Sequence, residues 1–212
     1  MSVLNRIAHF QGRRDEAPNQ ELARELVASR DTQGIREIAE NLTHKEKNVR
    51  SDCLKVLYEI GYLAPELIAD YTADFLELLS SRDNRMVWGG MIALATVARQ
   101  RPHEIWAQID RVVETAQRGT LITTVWGVRA LAQLAAVDEE YRRKLFPLLL
   151  DFLRRSIPRD VVTHAESMLP AVDESHRRDF VEVLESRQAE MTPAQRTHLR
   201  KVLKAVSPQA RA

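Results

Sequence analysis

One apolar pattern is written three times along the chain at a spacing of 37 residues, and it governs what the chain can fold into. Val49, Met86 and Thr123 hold its first position, and Cys53, Gly90 and Gly127 lie four residues on. Val56, Ala93 and Ala130 follow, then Leu57, Leu94 and Leu131, and Ile60, Val97 and Leu134 close the pattern. These offsets mark one face of an α-helix. A second set recurs at the same spacing: Thr72, Ile109 and Phe146; Phe75, Val112 and Leu149; Leu76, Val113 and Leu150; Leu79, Ala116 and Leu153. Two helices per unit at a period of about 20–50 residues specify an array. In such an array each unit buries its apolar face only against its neighbours.

The 212 residues hold about five such pairs. Lys and Arg total 31 against 30 Asp and Glu, a net charge of +1. That balance predicts neither nucleic-acid nor membrane binding from the global field. Cys53 is the only cysteine, so no intrachain disulfide can form, and its core position reads as a small buried hydrophobe. The chain opens on no leader-like stretch, and no apolar run reaches about 18 residues. The expectation is a cytoplasmic protein without a cofactor.

Punctuation sets the expected elements. Residues 1–19 are predicted as a short apolar helix or docking arm (Val3, Leu4, Ile7, Phe10), Gly12 as a stop, and a polar linker. Residues 20–190 are predicted as the repeat domain. Its first pair is degenerate, with Asp31 as an N-cap. The first helix of the next pair is expected to end at Gly61, and Pro65 to open a helix over 65–80. Helices near 83–100, 102–117, 121–136 and 138–155 follow, with Asp138 as N-cap and Pro147 expected to kink or interrupt the last. A looser fifth pair uses Pro158 and Asp173. Residues 191–212 are predicted as a C-terminal capping helix and frayed tail, opened by the capping box Thr192–Gln195.

The motif of an apolar residue, Arg, a small residue, an apolar pair and a further apolar residue is carried by Val49–Arg50, Cys53, Val56–Leu57 and Ile60. It resembles the HEAT-repeat family over residues 45–185. The resemblance implies an all-α, right-handed α-α superhelix (a HEAT-like solenoid) of about five helix pairs with helical caps. It also implies scaffolding and protein binding, often with second helices lining a concave surface. The family's Arg occurs only at Arg50; Met86–Val87 and Thr123–Thr124 depart from the motif. A fold of this kind hosts many functions.

No catalytic constellation stands out. The six histidines are dispersed, with no metal-ligand spacing, and Gly89–Gly90 lies inside a helix pattern rather than after a strand. The pair reads as a point of close helix approach. Trp106 and Asp110, four apart, and Trp126 and Arg129, three apart, could each share a helix face. This is similar to the Trp and Asp groove residues of DNA alkylation-repair glycosylases, which use a HEAT-like solenoid. That family's pattern implies the pair on a first helix, where this chain has Trp88 and Ile92, so the carboxylate is missing.

Two surface features point to partners. Trp88 and Ile92 lie opposite the consensus face of their helix, which is apolar nearly all round from Met86 to Ala98. They are read, with Trp126, as apolar contacts for a protein partner or for self-association, against burial between neighbouring repeats. Arg82, Arg85, Arg118, Arg154, Arg155 and Arg159 fall in turns between units and are read as ionic contacts along a basic edge. Glu66, Glu104, Asp138 and Asp173 would mark an acidic opposite edge. Helix dipoles favour this segregation without any ligand. A nucleic-acid partner is the alternative, and the absence of interleaved aromatics for base stacking argues against it. The reading is a non-catalytic scaffold or adaptor for a protein partner.

Overall fold

Helices make up all the regular structure in the computed structural model, which describes residues 2–207. Twelve α-helices occur among the described residues: α1 (Ala17–Ser29), α2 (Thr32–Glu40), α3 (Lys47–Leu63), α4 (Thr72–Leu78), α5 (Asn84–Val97) and α6 (Pro102–Trp106). They continue with α7 (Ile109–Arg118), α8 (Leu121–Ala135), α9 (Glu139–Arg155), α10 (Pro158–Met168), α11 (Glu174–Ser186) and α12 (Pro193–Ala205). In chain order these are five helix pairs and a terminal helix, α6 and α7 being one broken second helix. The fold is an α-α solenoid of the HEAT and armadillo type.

Two compact units divide the chain, Met1–Trp126 and Gly127–Ala212. In the first unit α1 packs on α3 and α3 on α5, while α2 leans on α3 and α4 on α5. In the second, α9 packs against α10 and α11, and α10 against α12. First helices thus stack on first helices, as the 37-residue register requires. All fifteen consensus positions of the three first helices are buried. In the second helices only Ile109 and Val113 are half-exposed. Phe75, Phe146 and Phe180 fill the second-helix layer and are among the largest fully buried side chains. Truncating one such ring to Ala costs about 3–5 kcal/mol.

The capping residues do what their chemistry allows. Asp31 accepts from the Gly34 N–H at 2.9 Å and Asp83 from the Arg85 N–H at 3.0 Å. Asp138 accepts from Glu140 and Tyr141, and Asp173 from the His176 N–H at 3.0 Å. Thr192 and Gln195 form both halves of a capping box. Arg30 closes α1 at φ 49° and is the only non-glycine residue with positive φ among those described.

Three expectations fail. Gly61 does not end its helix: α3 runs on to Leu63 and stops at Ala64, the residue before Pro65. A side chain at Gly61 would meet Thr96 of α5, with Thr96 Cβ and Ile68 Cδ1 both 2.9 Å from the added carbon. Glycine is there because two elements close on it. The helix expected over 65–80 is instead two 3-10 turns, Pro65–Leu67 and Ala69–Tyr71, followed by the short α4. The Thr72 hydroxyl donates to the Ala69 carbonyl at 2.7 Å, a local bond that competes with helix continuation. Of the kink or interruption expected at Pro147, the interruption is absent: α9 is helical throughout, and the ring lies on the exposed face.

The N-terminal segment is a docking arm rather than a capping helix. Only Val3–Arg6 forms a turn of 3-10 helix, and Ile7 and Ala8 are buried. Polar pins fix it: the Val3 N–H donates to Glu37 at 3.1 Å, the Ala8 N–H to Asn19 at 2.9 Å and the His9 N–H to Asp52 at 2.7 Å. Asn19 in turn donates to Asp52 at 3.0 Å. The chain then crosses α3 to enter α1 at Ala17, three residues earlier than expected. At this end Glu16 reaches Lys55 of α3 at 2.7 Å.

Candidate functional site

Four aromatic side chains from three helices meet in the first unit. Tyr58 and Tyr62 lie one turn apart on α3, with ring centroids 5.8 Å apart. Tyr58 touches Trp88 of α5 at 6.2 Å, and Tyr62 stacks on Trp126 of α8 at 5.5 Å with the planes only 29° apart. The order along the strip is therefore Trp88, Tyr58, Tyr62, Trp126. Its outer end is open: Tyr62 is 44% exposed, Leu63 54% and Ile122 46%. Ile122 stands four residues before Trp126 and shares its helix face. Tyr58 itself is buried and supports the strip from beneath.

Charges close the other end. The Arg85 guanidinium lies 5.8 Å from the Trp88 ring centroid, and the Lys55 ammonium 4.9 Å from that of Tyr58. Lys55 is buried with Glu16 at 2.7 Å and Glu59 at 2.6 Å. Burial alone would lower its pKa, but the bonds from both carboxylates outweigh that and raise it well above the lysine value. It stays charged and fixes the α3 end of the strip. Glu16 also reaches Arg85 at 3.5 Å.

Of the apolar residues singled out in the sequence, Trp88 and Trp126 are half-buried members of the strip. Ile92 is 4% exposed, so it belongs to the core and drops out of any contact surface, and Ala95 is buried beside it. Self-association through that face of α5 loses its apolar centre accordingly. Tyr58, Tyr62 and Ile122 were missed. With α3 expected to stop at Gly61, Tyr62 fell outside the helix, although its i, i+4 spacing from Tyr58 was readable.

The six arginines are placed differently from one another. Arg118 pairs with Glu114 at 2.5 Å, Arg155 with Asp151, Arg159 with Asp160 at 3.2 Å, and Arg85 with Glu16. Only the Arg82 and Arg154 side chains, both exposed, have no partner among the described residues. On the edge expected to be acidic, Glu66 and Asp173 each meet an arginine about one repeat away, and Glu104 meets Arg101 three residues before it. Arg30 meets Glu66 at 3.4 Å and Arg101 meets Asp70. Arg142 meets Asp173 at 3.0 Å. Each of these ion pairs links one repeat to the next within its own unit.

The Trp106–Asp110 pair does not share a helix. Trp106 closes α6, Asp110 lies in the first turn of α7 and is exposed, and the chain bends at Gln108 between them. Among the described residues no group of three His, Cys, Asp or Glu is placed to hold a metal ion. No helix of those residues is long and apolar enough to cross a membrane.

No protein-family model matches the chain, and no curated protein does. Solved structures do. An engineered protein from the Northeast Structural Genomics Consortium superposes with a TM-score of 0.65 at 19% identity, covering 97% of both chains. A designed armadillo repeat protein gives 0.65 at 15% identity, over 89% of this chain and 87% of its own. Another, in complex with the peptide (KR)4, gives 0.67 at 14% identity over the same shares. At these identities the likeness is one of fold: the chain has the architecture of helical repeat solenoids.

Proposed function

We propose that this chain is a non-catalytic scaffold that captures an extended apolar segment of a protein partner on the aromatic strip of its first unit. The observation that carries this reading is the Tyr62–Trp126 stack, packed from within yet open to solvent along Tyr62, Leu63 and Ile122. Rigid aromatic side chains lose little entropy on binding and dominate interface energetics. Aromatic-lined surfaces also suit extended peptides. A designed protein of the same fold in complex with the basic peptide (KR)4 supports a peptide as the class of partner, and the apolar character is read from the strip itself. A nucleic-acid partner is the weaker reading, since four of the six inter-repeat arginines are already in ion pairs.

The test is selection of binders from a displayed random-peptide library on the wild-type protein, followed by affinity measurement with variants. Tyr62→Ser and Ile122→Ser change exposed positions, and melting temperatures are expected to show both variants folded. Each is expected to weaken the selected peptides about 30-fold, the loss typical of a hot-spot residue. Arg196→Ser, exposed on α12 and far from the strip in sequence, is expected to bind as wild type. Selected peptides that bind all three variants equally would overturn the reading.

A further inference from the structure

We propose that the groove between α11 and α12 is a docking site for an amphipathic helix of a partner protein, one that opens on an acidic N-cap and turns basic toward its far end. The groove has a volume of about 520 Å³ and lies within the second unit. Val181, Leu203 and Val206 form its apolar floor. Arg177 and Arg178 line it near the start of α11, and Glu182 and Glu185 line it farther along.

The preceding pair shows what such a face receives. α9 and α11 are successive second helices and pack side by side. Their capping aspartates, Asp138 and Asp173, set a common count along the two helices. Arg142 and Arg177 each stand four residues after the cap, and Phe146 and Val181 each stand eight after it. Arg142 donates to the Asp173 carboxylate at 3.0 Å, and the ring centroids of Phe146 and His176 are 4.4 Å apart. The first turns of α9 thus meet the first turns of α11. At the other end Arg187, just past α11, donates to the Leu153 and Arg154 carbonyls of α9. The two helices therefore run in the same direction, and the side chain that joins their starts is an arginine on an acidic N-cap.

On α11 the equivalent residues, Arg177 and Val181, both line the groove. α12 packs on α10, as first helices do, so the place a second helix takes beside it is this groove. The side chains of Arg177, Arg178, Glu182 and Glu185 make no hydrogen bond or ion pair among the described residues. Charge complementarity therefore sets both the occupant and its direction. A carboxylate at its N-cap meets Arg177, as Asp173 meets Arg142, and cations in its later turns meet Glu182 and Glu185. A helix dipole favours the same polarity, acidic at the start and basic at the end. A face that only closed the array would be polar throughout. Here Val181 and Leu203 remain half-exposed along the floor, the kind of anchor line that an amphipathic helix lays its apolar face into. This site does not rest on the aromatic strip, and either reading can fail alone.

The probe is a stapled helical peptide about as long as α11, titrated into the whole chain by calorimetry and by amide-shift mapping. It opens on Asp as N-cap, carries Leu where α11 carries His176, Phe180 and Leu184, and ends on two turns with Lys. Wild type is expected to bind it saturably, with a dissociation constant of about 10 μM or tighter and with shifts centred on α11 and α12. Arg177→Glu is expected to weaken binding at least about tenfold, and Arg24→Gln, exposed on α1, not at all. A second peptide with Lys in place of the N-cap Asp is expected to bind wild type poorly and to recover binding to Arg177→Glu. That exchange separates docking from folding, because a misfolded variant would bind neither peptide. No saturable binding, shifts centred outside α11 and α12, or equal affinities for both peptides in wild type and Arg177→Glu would each overturn the proposal. So would shifts on α11 that follow protein concentration and ignore the peptide, which would assign the groove to a second copy of the chain.

Discussion

His164 on α10 is a buried base in a setting that cannot stabilise its charge. It is 2% exposed, its Nδ1 lies 2.9 Å from the Ser156 hydroxyl, and its Nε2 has no partner. Burial lowers its pKa below the ordinary value of 6.5, and nearby Asp160 only partly opposes this. As pH falls the unfolded chain takes up the proton first. The stabilising contribution is therefore complete above the unfolded value and is lost as pH falls through the folded one. The melting temperature should drop between about pH 7.5 and 5 in wild type and drop less in His164→Gln. Equal slopes would clear His164 of the effect. Asp173 acts in a lower window. Burial would raise its pKa, but hydrogen bonds from His176 and Ser175 lower it strongly, so its contribution goes only below the free carboxylate range. Cys53 shows a residue that the sequence describes fully: its consensus position implied burial, and burial pushes the thiol up to about 12.

At the scale of the element, glycine separates what a single sequence reveals from what it conceals. Ala normally stabilises a helix interior over Gly by about 1 kcal/mol. At Gly90 the added carbon would sit 2.9 Å from Leu78 Cβ and 3.0 Å from the Phe75 carbonyl oxygen of α4. Neither atom can rotate away. Gly90→Ala should therefore destabilise, by about 1–3 kcal/mol of overpacking, as read from denaturant midpoints. At Gly89 the obstacle is a single side chain, Leu54, with Cδ2 at 2.5 Å and Cγ at 2.9 Å; a side chain yields more readily than the backbone that Gly90 meets, so Gly89→Ala should cost less. Ranking the two the other way round would refute this account of α3–α5–α4 packing. The close-approach role of Gly89–Gly90 was legible because apolar periodicity continues on both sides. Gly61 was not, because a glycine stop and a glycine contact look alike until the neighbouring helix is in place. The usable stop signal was Pro65, which keeps Ala64 out of the helical region.

For the molecule as a whole, the repeat register dictated which faces are buried, and the structure adds what ties one repeat to the next. Arg187 is the clearest tie. It is buried and donates to the Leu153 and Arg154 carbonyls at 2.6 Å and to the Ser156 carbonyl at 2.7 Å. It also pairs with Glu190 at 2.9 Å. One side chain thus caps the end of α9 from the following pair. Nothing marked it in the sequence, because a lone Arg after a helix reads as solvated. The aromatic strip was hidden for the same reason: Tyr62 and Trp126 are 64 residues apart, and only the stack brings them together. Losing Arg187 to Ala strips three carbonyls of a charged donor and should cost at least about 2 kcal/mol. Arg187→Lys should recover little, because an ammonium cannot reproduce the planar fork. Since each repeat touches only its neighbours, the damage should stay local. Amide exchange in Arg187→Ala should quicken across α9 to α12 and stay at wild-type rates in α1 to α5. Uniform acceleration along the chain would mean that the array unfolds as one cooperative block, against the nearest-neighbour behaviour its architecture implies.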